Sequence, residues 1–235
     1  MSADVLHVLC AGAVQGLVKA LQTRFFDETG ANLDTRFGAV GAMKEALLGG
    51  APCDVMIVTD AMVRALQADA MLRADSLAPL GRVRTGIAVR AGEPVPDVST
   101  PDALKARLLA AGAVFFPDPE RATAGIHFAS VLDRLGVRDA LAPRLRTFPN
   151  GATSMRELAA DNTPGAIGCT QITEILYTPG IALAGALPAA FELATVYSAA
   201  LSVRARQPGL AQHFVDLLAG EETRAMRAAG GFEFE

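Results

Sequence analysis

The chain has no tryptophan, two tyrosines and only 6% aromatic residues. That leaves little flat surface on which bases or sugars could stack. Positive charge is not in excess: 21 Lys and Arg stand against 25 Asp and Glu, a net charge of −4. The electrostatic footprint of a nucleic-acid-binding surface is therefore missing. Cysteine is sparse. Cys10, Cys53 and Cys169 lie far apart with no CxxC spacing, which excludes a disulfide framework and a zinc site built from cysteine alone. They read as buried core thiols. No spacing of His, Asp and Glu suggests a metal site. The sequence holds no GxGxxG opening a βαβ unit, no Walker loop and no GxSxG elbow, so no cofactor is expected. Its apolar runs are too short or too broken by glycine to insert into a membrane.

What is present is a chain of 235 residues, 51% hydrophobic and 20% charged, enough for one large or two small packed domains. The start, Met1-Ser2-Ala3-Asp4, carries an acid and no basic residue before the apolar run Val5 to Leu9, unlike a secretory signal. As written, the chain is expected in the cytoplasm; if it is a processed form, in the periplasm.

Strands and helices alternate. Residues 5–11 read as a buried strand, and Val14, Leu17, Val18, Leu21 and Phe25 recur at helical spacing. A second strand at 32–37 leads into a loop, Gly38-Ala39-Val40-Gly41, and a helix over 42–48. A strand at 54–59 and a helix near 61–66 follow. This texture predicts βαβ units and a largely parallel sheet. Residues 82–90 alternate like a crossing strand, and 91–101 is rich in turns. Ser99-Thr100-Pro101-Asp102 is a helix start. Strands at 113–116, 145–148 and 165–171 and helices at 125–135 and 151–160 come next. A second crossing strand at 193–204 precedes helices near 208–219 and 221–229. The expected organisation is one lobe of residues 1–82 plus 195–235, with an inserted lobe of 83–194. Two crossing strands would join them, with a ligand cleft between.

Four segments then carry a resemblance: VLCAGAVQGLVKALQTRFFDETG, RFGAVGAMKEALLGGAPCDVMIVTD, FPDPERATAGIHFASVLDRLGV and PGAIGCTQITEI. In this order, over nearly the whole chain, they resemble periplasmic molybdate-binding proteins, which are type II solute-binding proteins of ABC transporters. The resemblance implies an α/β fold of two lobes, each a mixed sheet flanked by helices. It also implies a small anionic ligand held largely by helix N-termini and loop N–H groups. An ABC permease would be the partner if the chain is exported. Neither nucleic acid nor membrane insertion is implied, and a monomer is expected. Molybdate binders present hydroxyls where this chain has Ala13 and Val40, and a tyrosine where it has Gln171. An organic carboxylate is therefore expected in preference to molybdate. Some similar proteins are isomerases of small polycarboxylic acids, such as aconitate isomerase, and that remains the alternative function.

The candidate ligand-binding residues follow from the resemblance and from loop chemistry. Gly12 and Ala13 close the first strand, and Val40, Gly41 and Ala42 open the second helix. Thr123, Ala124 and Gly125 open a helix on the inserted lobe. Ser154 lies at another helix entry, where Ser154 or Asn150 could equally be a cap. Thr170 and Gln171 end a buried strand, and Tyr197 lies on the second crossing strand. If the chain is an enzyme, His127 and Glu174 are the candidate acid and base, and both also have structural readings: a hydrogen-bonding histidine and a surface charge.

Overall fold

A computed structural model describes residues 4–234. The chain runs through β1 (Val5–Ala11), a tight turn (Gly12–Val14), α1 (Gln15–Thr29), β2 (Asn32–Gly38), α2 (Val40–Leu48), β3 (Val55–Thr59) and α3 (Asp60–Ala68). It continues through β4 (Ala78–Arg90), α4 (Pro101–Ala110), β5 (Val114–Pro117), α5 (Thr123–Arg134), α6 (Arg138–Leu141), β6 (Leu145–Phe148) and α7 (Gly151–Ala160). The last elements are β7 (Ile167–Gln171), α8 (Ile172–Tyr177), β8 (Ile181–Ala186), β9 (Ala194–Leu201), α9 (Pro208–Ala219) and α10 (Arg224–Ala229). Two compact units form, Met1–Arg82 with Thr195–Glu235, and Val83–Ala194.

In the first unit the strand order is β2-β1-β3-β9, with β9 antiparallel to β3 and the others parallel. From Val8 onward β1 is buried, and β3 is buried from Val55 to Val58, the near-continuous apolar pattern of strands covered on both faces. At the edge, β2 alternates between exposed and half-buried residues. Helix α1 turns Leu17, Val18, Leu21 and Phe25 inward, and Phe25 meets Phe214 of α9 edge-on at 5.1 Å. The buried carboxylate of Asp54 accepts the backbone N–H groups of His7 (2.8 Å) and Arg206 (2.7 Å). It thereby ties the entry of β3 to β1 and to the segment before α9.

In the second unit β5 lies between β6 and β7, parallel to both, and β4 runs antiparallel to β7 and β8. The pleat sorts the side chains onto two faces. Ile87 and Val89 of β4, Val114 and Phe116 of β5, and Ile167 and Cys169 of β7 pack with Phe128, Val131 and Leu132 of α5. Ala88, Phe115 and Ile175 pack on the opposite face with Met155 and Leu158 of α7.

The mixed α/β architecture with flanking helices agrees with the sequence reading, but several boundaries move. Val40 and Gly41 are not loop residues; they form the first turn of α2, and α5 likewise begins at Thr123 rather than Gly125. Their flanking residues, Ala39 and Ala122, offer no capping side chain, so the usual start signal is missing. The strand expected from residue 165 begins at Ile167, and the first crossing strand reaches back to Ala78. Strand β8 and helix α8 had no counterpart. The sequence of β8, IALAGA, has no polar alternation, and α8 spans only six residues.

Two glycines separate two kinds of constraint. At Gly30 the backbone is left-handed (φ +70°) and an added Cβ would meet nothing within 4 Å. At Gly125 an added Cβ would overlap the carbonyl oxygens of Pro117 and Asp118, backbone atoms that cannot swing aside. Gly30→Ala should therefore cost about 1 kcal/mol, and Gly125→Ala about 3 kcal/mol, the upper range for overpacking. Urea unfolding of the two variants checks the order; equal costs would mean that the β5–α5 junction gives way.

Candidate functional site

The first N–H groups of any helix lack an intrahelical acceptor, so each helix start needs a partner from elsewhere. Some starts in this chain are satisfied internally. Thr59 caps α3 through the Met62 N–H at 3.3 Å, and Thr100 caps α4 through the Ala103 N–H at 3.1 Å. Asn150 caps α7 through the Thr153 N–H at 2.9 Å. The starts that follow β1, β2, β5 and β7 have no side-chain cap: the Gly12–Val14 turn, α2, α5 and α8. In the first unit these starts bring in Gly12, Ala13, Val40, Gly41 and Ala42. In the second they bring in Thr123, Ala124, Gly125 and, as the residue before α8, Gln171. Ala13 and Val40 are buried, so both starts in the first unit present backbone rather than hydroxyls.

A buried polar pair lies in the second unit. Thr85 of β4 and Gln171 of β7 are directly opposite in the antiparallel register, so their side chains share a face. By pleat parity that face is the one of Ile87 and Cys169, against which α5 packs. Thr85 is 1% exposed and Gln171 2% exposed. The Thr85 hydroxyl and both amide atoms of Gln171 have no hydrogen-bond partner. Buried side-chain amides are rarely left so, because an unmade hydrogen bond costs about 1–3 kcal/mol. Gln171 ends β7, which lies beside and parallel to β5, the strand that leads into α5.

Thr170 and Glu174 belong to the other face. Glu174, 6% exposed, accepts from the Thr170 hydroxyl and from the Ala152 N–H at 3.2 Å, inside the first turn of α7. Gly151 makes room for this carboxyl, since a Cβ there would overlap Glu174 Oε2 and Thr170 Oγ1. Burial pushes the Glu174 carboxyl up to about 7, with hydrogen bonds from Thr170, Ala152 and the Gln171 backbone pulling the other way. The surface reading of Glu174 is thus replaced by an internal one, and it could not be read from sequence because its partner is 22 residues away. Ser154 is not a cap; its hydroxyl is fully buried on α7 and unpartnered, and Asn150 takes the capping role.

Two further candidates are held by contacts of their own. The Nε2 of His127 sits 2.8 Å from the Phe191 carbonyl oxygen, a structural hydrogen bond. Tyr197 is 2% exposed, packed in β9 opposite Thr59. Thr85 was missed in the sequence, where it sits inside an alternating strand; only its register with Gln171 reveals it. Among the described residues no group of His, Cys, Asp and Glu could hold a metal ion, and no helix is long and apolar enough to cross a membrane.

Glu174 makes a pH prediction. The folded state holds its proton up to about pH 7, whereas the unfolded chain releases it near 4.5. The group's contribution to stability is therefore complete below about pH 4.5 and is lost as pH rises through about 7, a change on the order of 3 kcal/mol. Glu174→Gln keeps a neutral amide there. Relative to wild type it should gain about that much stability between about pH 5 and pH 8 in parallel urea titrations. A pH-independent difference would mean that Glu174 is ionised at no cost.

The sequence profile of the bacterial extracellular solute-binding protein family matches residues 6–233. An aconitate isomerase from a Pseudomonas species is 27% identical over 226 residues, covering 92% of this chain and 83% of that protein. The molybdate-binding protein of Escherichia coli strain K12 is 22% identical over 229 residues, covering 97% and 88%. The solved structure of the Azotobacter vinelandii periplasmic molybdate-binding protein superimposes with a TM-score of 0.80 at 18% identity, covering 98% of this chain and 99% of that one. The chain belongs to the bacterial extracellular solute-binding proteins, in the type II branch whose fold it shares with the molybdate-binding proteins.

Proposed function

We propose that the chain binds a small organic carboxylate reversibly, at backbone N–H groups of uncapped helix starts: the Gly12–Val14 turn and α2 are the candidates in the first unit, and α5 with Gln171 the candidate in the second. One observation carries this reading. The starts after β1, β2 and β5 lack the side-chain caps that α3, α4 and α7 possess. Unpaired N–H groups and the positive end of a helix dipole favour an anion. Ala13 and Val40 offer no hydroxyls, which turns the reading away from molybdate and toward carboxylates. As a solute-binding protein the chain would deliver this ligand to an ABC permease, from outside the cytoplasm.

The test removes single donors without disturbing the helices. Proline is tolerated at the first helical position, and Ala39 and Ala122 before those positions are already extended. Di- and tricarboxylates should raise the melting temperature of the wild type more than molybdate does. Val40→Pro and Thr123→Pro should each weaken the best acid by about tenfold in calorimetric titration. An unchanged dissociation constant would remove that helix start from the site, and submicromolar molybdate would overturn the preference.

A second reading is favoured by the 27% identity to an aconitate isomerase along 92% of the chain. In it the chain moves a proton on an unsaturated polycarboxylic acid. A base takes a proton from the carbon beside one carboxylate, the double bond shifts, and a proton returns to the far carbon. A buried carboxyl that holds its proton to about 7, Glu174, suits that exchange; His127 is the other candidate. Under this reading trans-aconitate is turned over, and Glu174→Gln or His127→Gln loses roughly 10²–10⁴-fold. Absence of turnover by the wild type would leave the binding reading alone.

A further inference from the structure

We infer that the Thr85–Gln171 pair demands a hydrogen-bond donor from the ligand, so that the site selects a small hydroxycarboxylate over carboxylates and oxyanions that carry acceptors only. The inference rests on the carboxylate reading above and names the class of acid.

The argument is a balance of donors and acceptors. An ionised carboxylate, like sulfate or molybdate, offers oxygen acceptors and no hydrogen. The first-turn N–H groups of α5 suit such oxygens, and so does the Gln171 NH₂. The Gln171 carbonyl oxygen does not, because it can only accept. It is buried, it has no partner, and an acceptor-only ligand placed against it would leave it unpaired. Exchanging the oxygen and nitrogen of the amide moves the unmet acceptor by one position and leaves the demand unchanged. Thr85 sits directly across the ladder with a hydroxyl that is also buried and unpartnered. A hydroxyl can give one hydrogen bond and accept others, so the pair presents one obligate acceptor beside one adaptable group. A ligand hydroxyl next to a carboxylate matches both: its hydrogen meets the amide oxygen, and its oxygen can accept from Thr85 or from the Gln171 NH₂.

As the side chains stand, nothing within the unit donates to the Gln171 carbonyl oxygen. The neighbours of Gln171 and Thr85 on their own face, Cys169 and Ile87, belong to the apolar cluster packed on α5. Thr170, the hydroxyl next to Gln171 along the strand, lies on the opposite face and donates to Glu174. Sites built to hydrogen-bond a substrate hydroxyl discriminate strongly against analogues lacking it, because their own polar groups are left unpaired.

The experiment uses the full chain and matched pairs of acids differing by one hydroxyl: malate with succinate, and citrate with tricarballylate. Sulfate and molybdate are the acceptor-only oxyanions. Calorimetric titration of the wild type should show the hydroxylated member of at least one pair binding at least tenfold tighter than its partner, and tighter than either oxyanion. Gln171→Leu should bring that ratio to near one. Thr85→Val, close to isosteric and independent of how Gln171→Leu folds, should lower it severalfold. Pairs that bind equally well to the wild type would overturn this inference and leave the carboxylate reading standing. An oxyanion bound as tightly as the hydroxyacids would overturn it as well. If none of the four acids binds, both readings fall together.

Discussion

Everything in this structure turns on where backbone N–H groups at helix starts find acceptors. A helix following a parallel strand points its first amides past the strand's carboxyl end, and water or a side chain must take them up. This chain answers in two ways. Thr59, Thr100 and Asn150 close their helices locally, and Glu174 reaches across from α8 to close α7. Before the turn that follows β1, before α2 and before α5, alanine stands where a cap would be. The same backbone feature is thus closed by a side chain at some helix starts and left without one at others.

The second unit makes that division concrete. Its sheet has an α7 face, where Glu174, Thr170 and Ala152 satisfy one another and Gly151 gives them room. On its α5 face, Thr85 and Gln171 satisfy nothing. Adjacent residues of one strand, Thr170 and Gln171, therefore have different fates because the pleat sends them to opposite faces. The close approach of α5 to the end of β5, which admits only glycine at position 125, fixes where the α5 amides lie against that strand.

Much of this was legible in the sequence. The alternation of strands with helices follows from apolar periodicity, and that signal survives folding intact for β1, α1 and β3. The ordered segments of resemblance led to the family itself. Boundaries failed where the signal is a side chain that the chain does not use: α2 and α5 begin without caps, so their first residues read as loop. Strand β8 failed because alanine and glycine carry no period. The candidate site was legible at Gln171, a polar residue ending an apolar strand, and illegible at Thr85, which stands out only through its cross-strand partner 86 positions away in sequence. Glu174 and His127 were found as titratable residues but not in their settings, because Ala152 and Phe191 reach them only through tertiary packing.

The three thiols carry one more consequence. Cys10, Cys53 and Cys169 are all unbridged and buried, and burial holds Cys10 and Cys169 well above the usual thiol range and Cys53 at about 12. Thiolate, the form that attacks oxidants and disulfides, is thereby suppressed at neutral pH. With all three sulfurs buried, the folded chain presents an oxidant or a disulfide partner with little to attack. Its vulnerability to mispairing is confined to the interval before these residues are covered, and for Cys10 that cover depends on β1 finding β2 and β3 on either side.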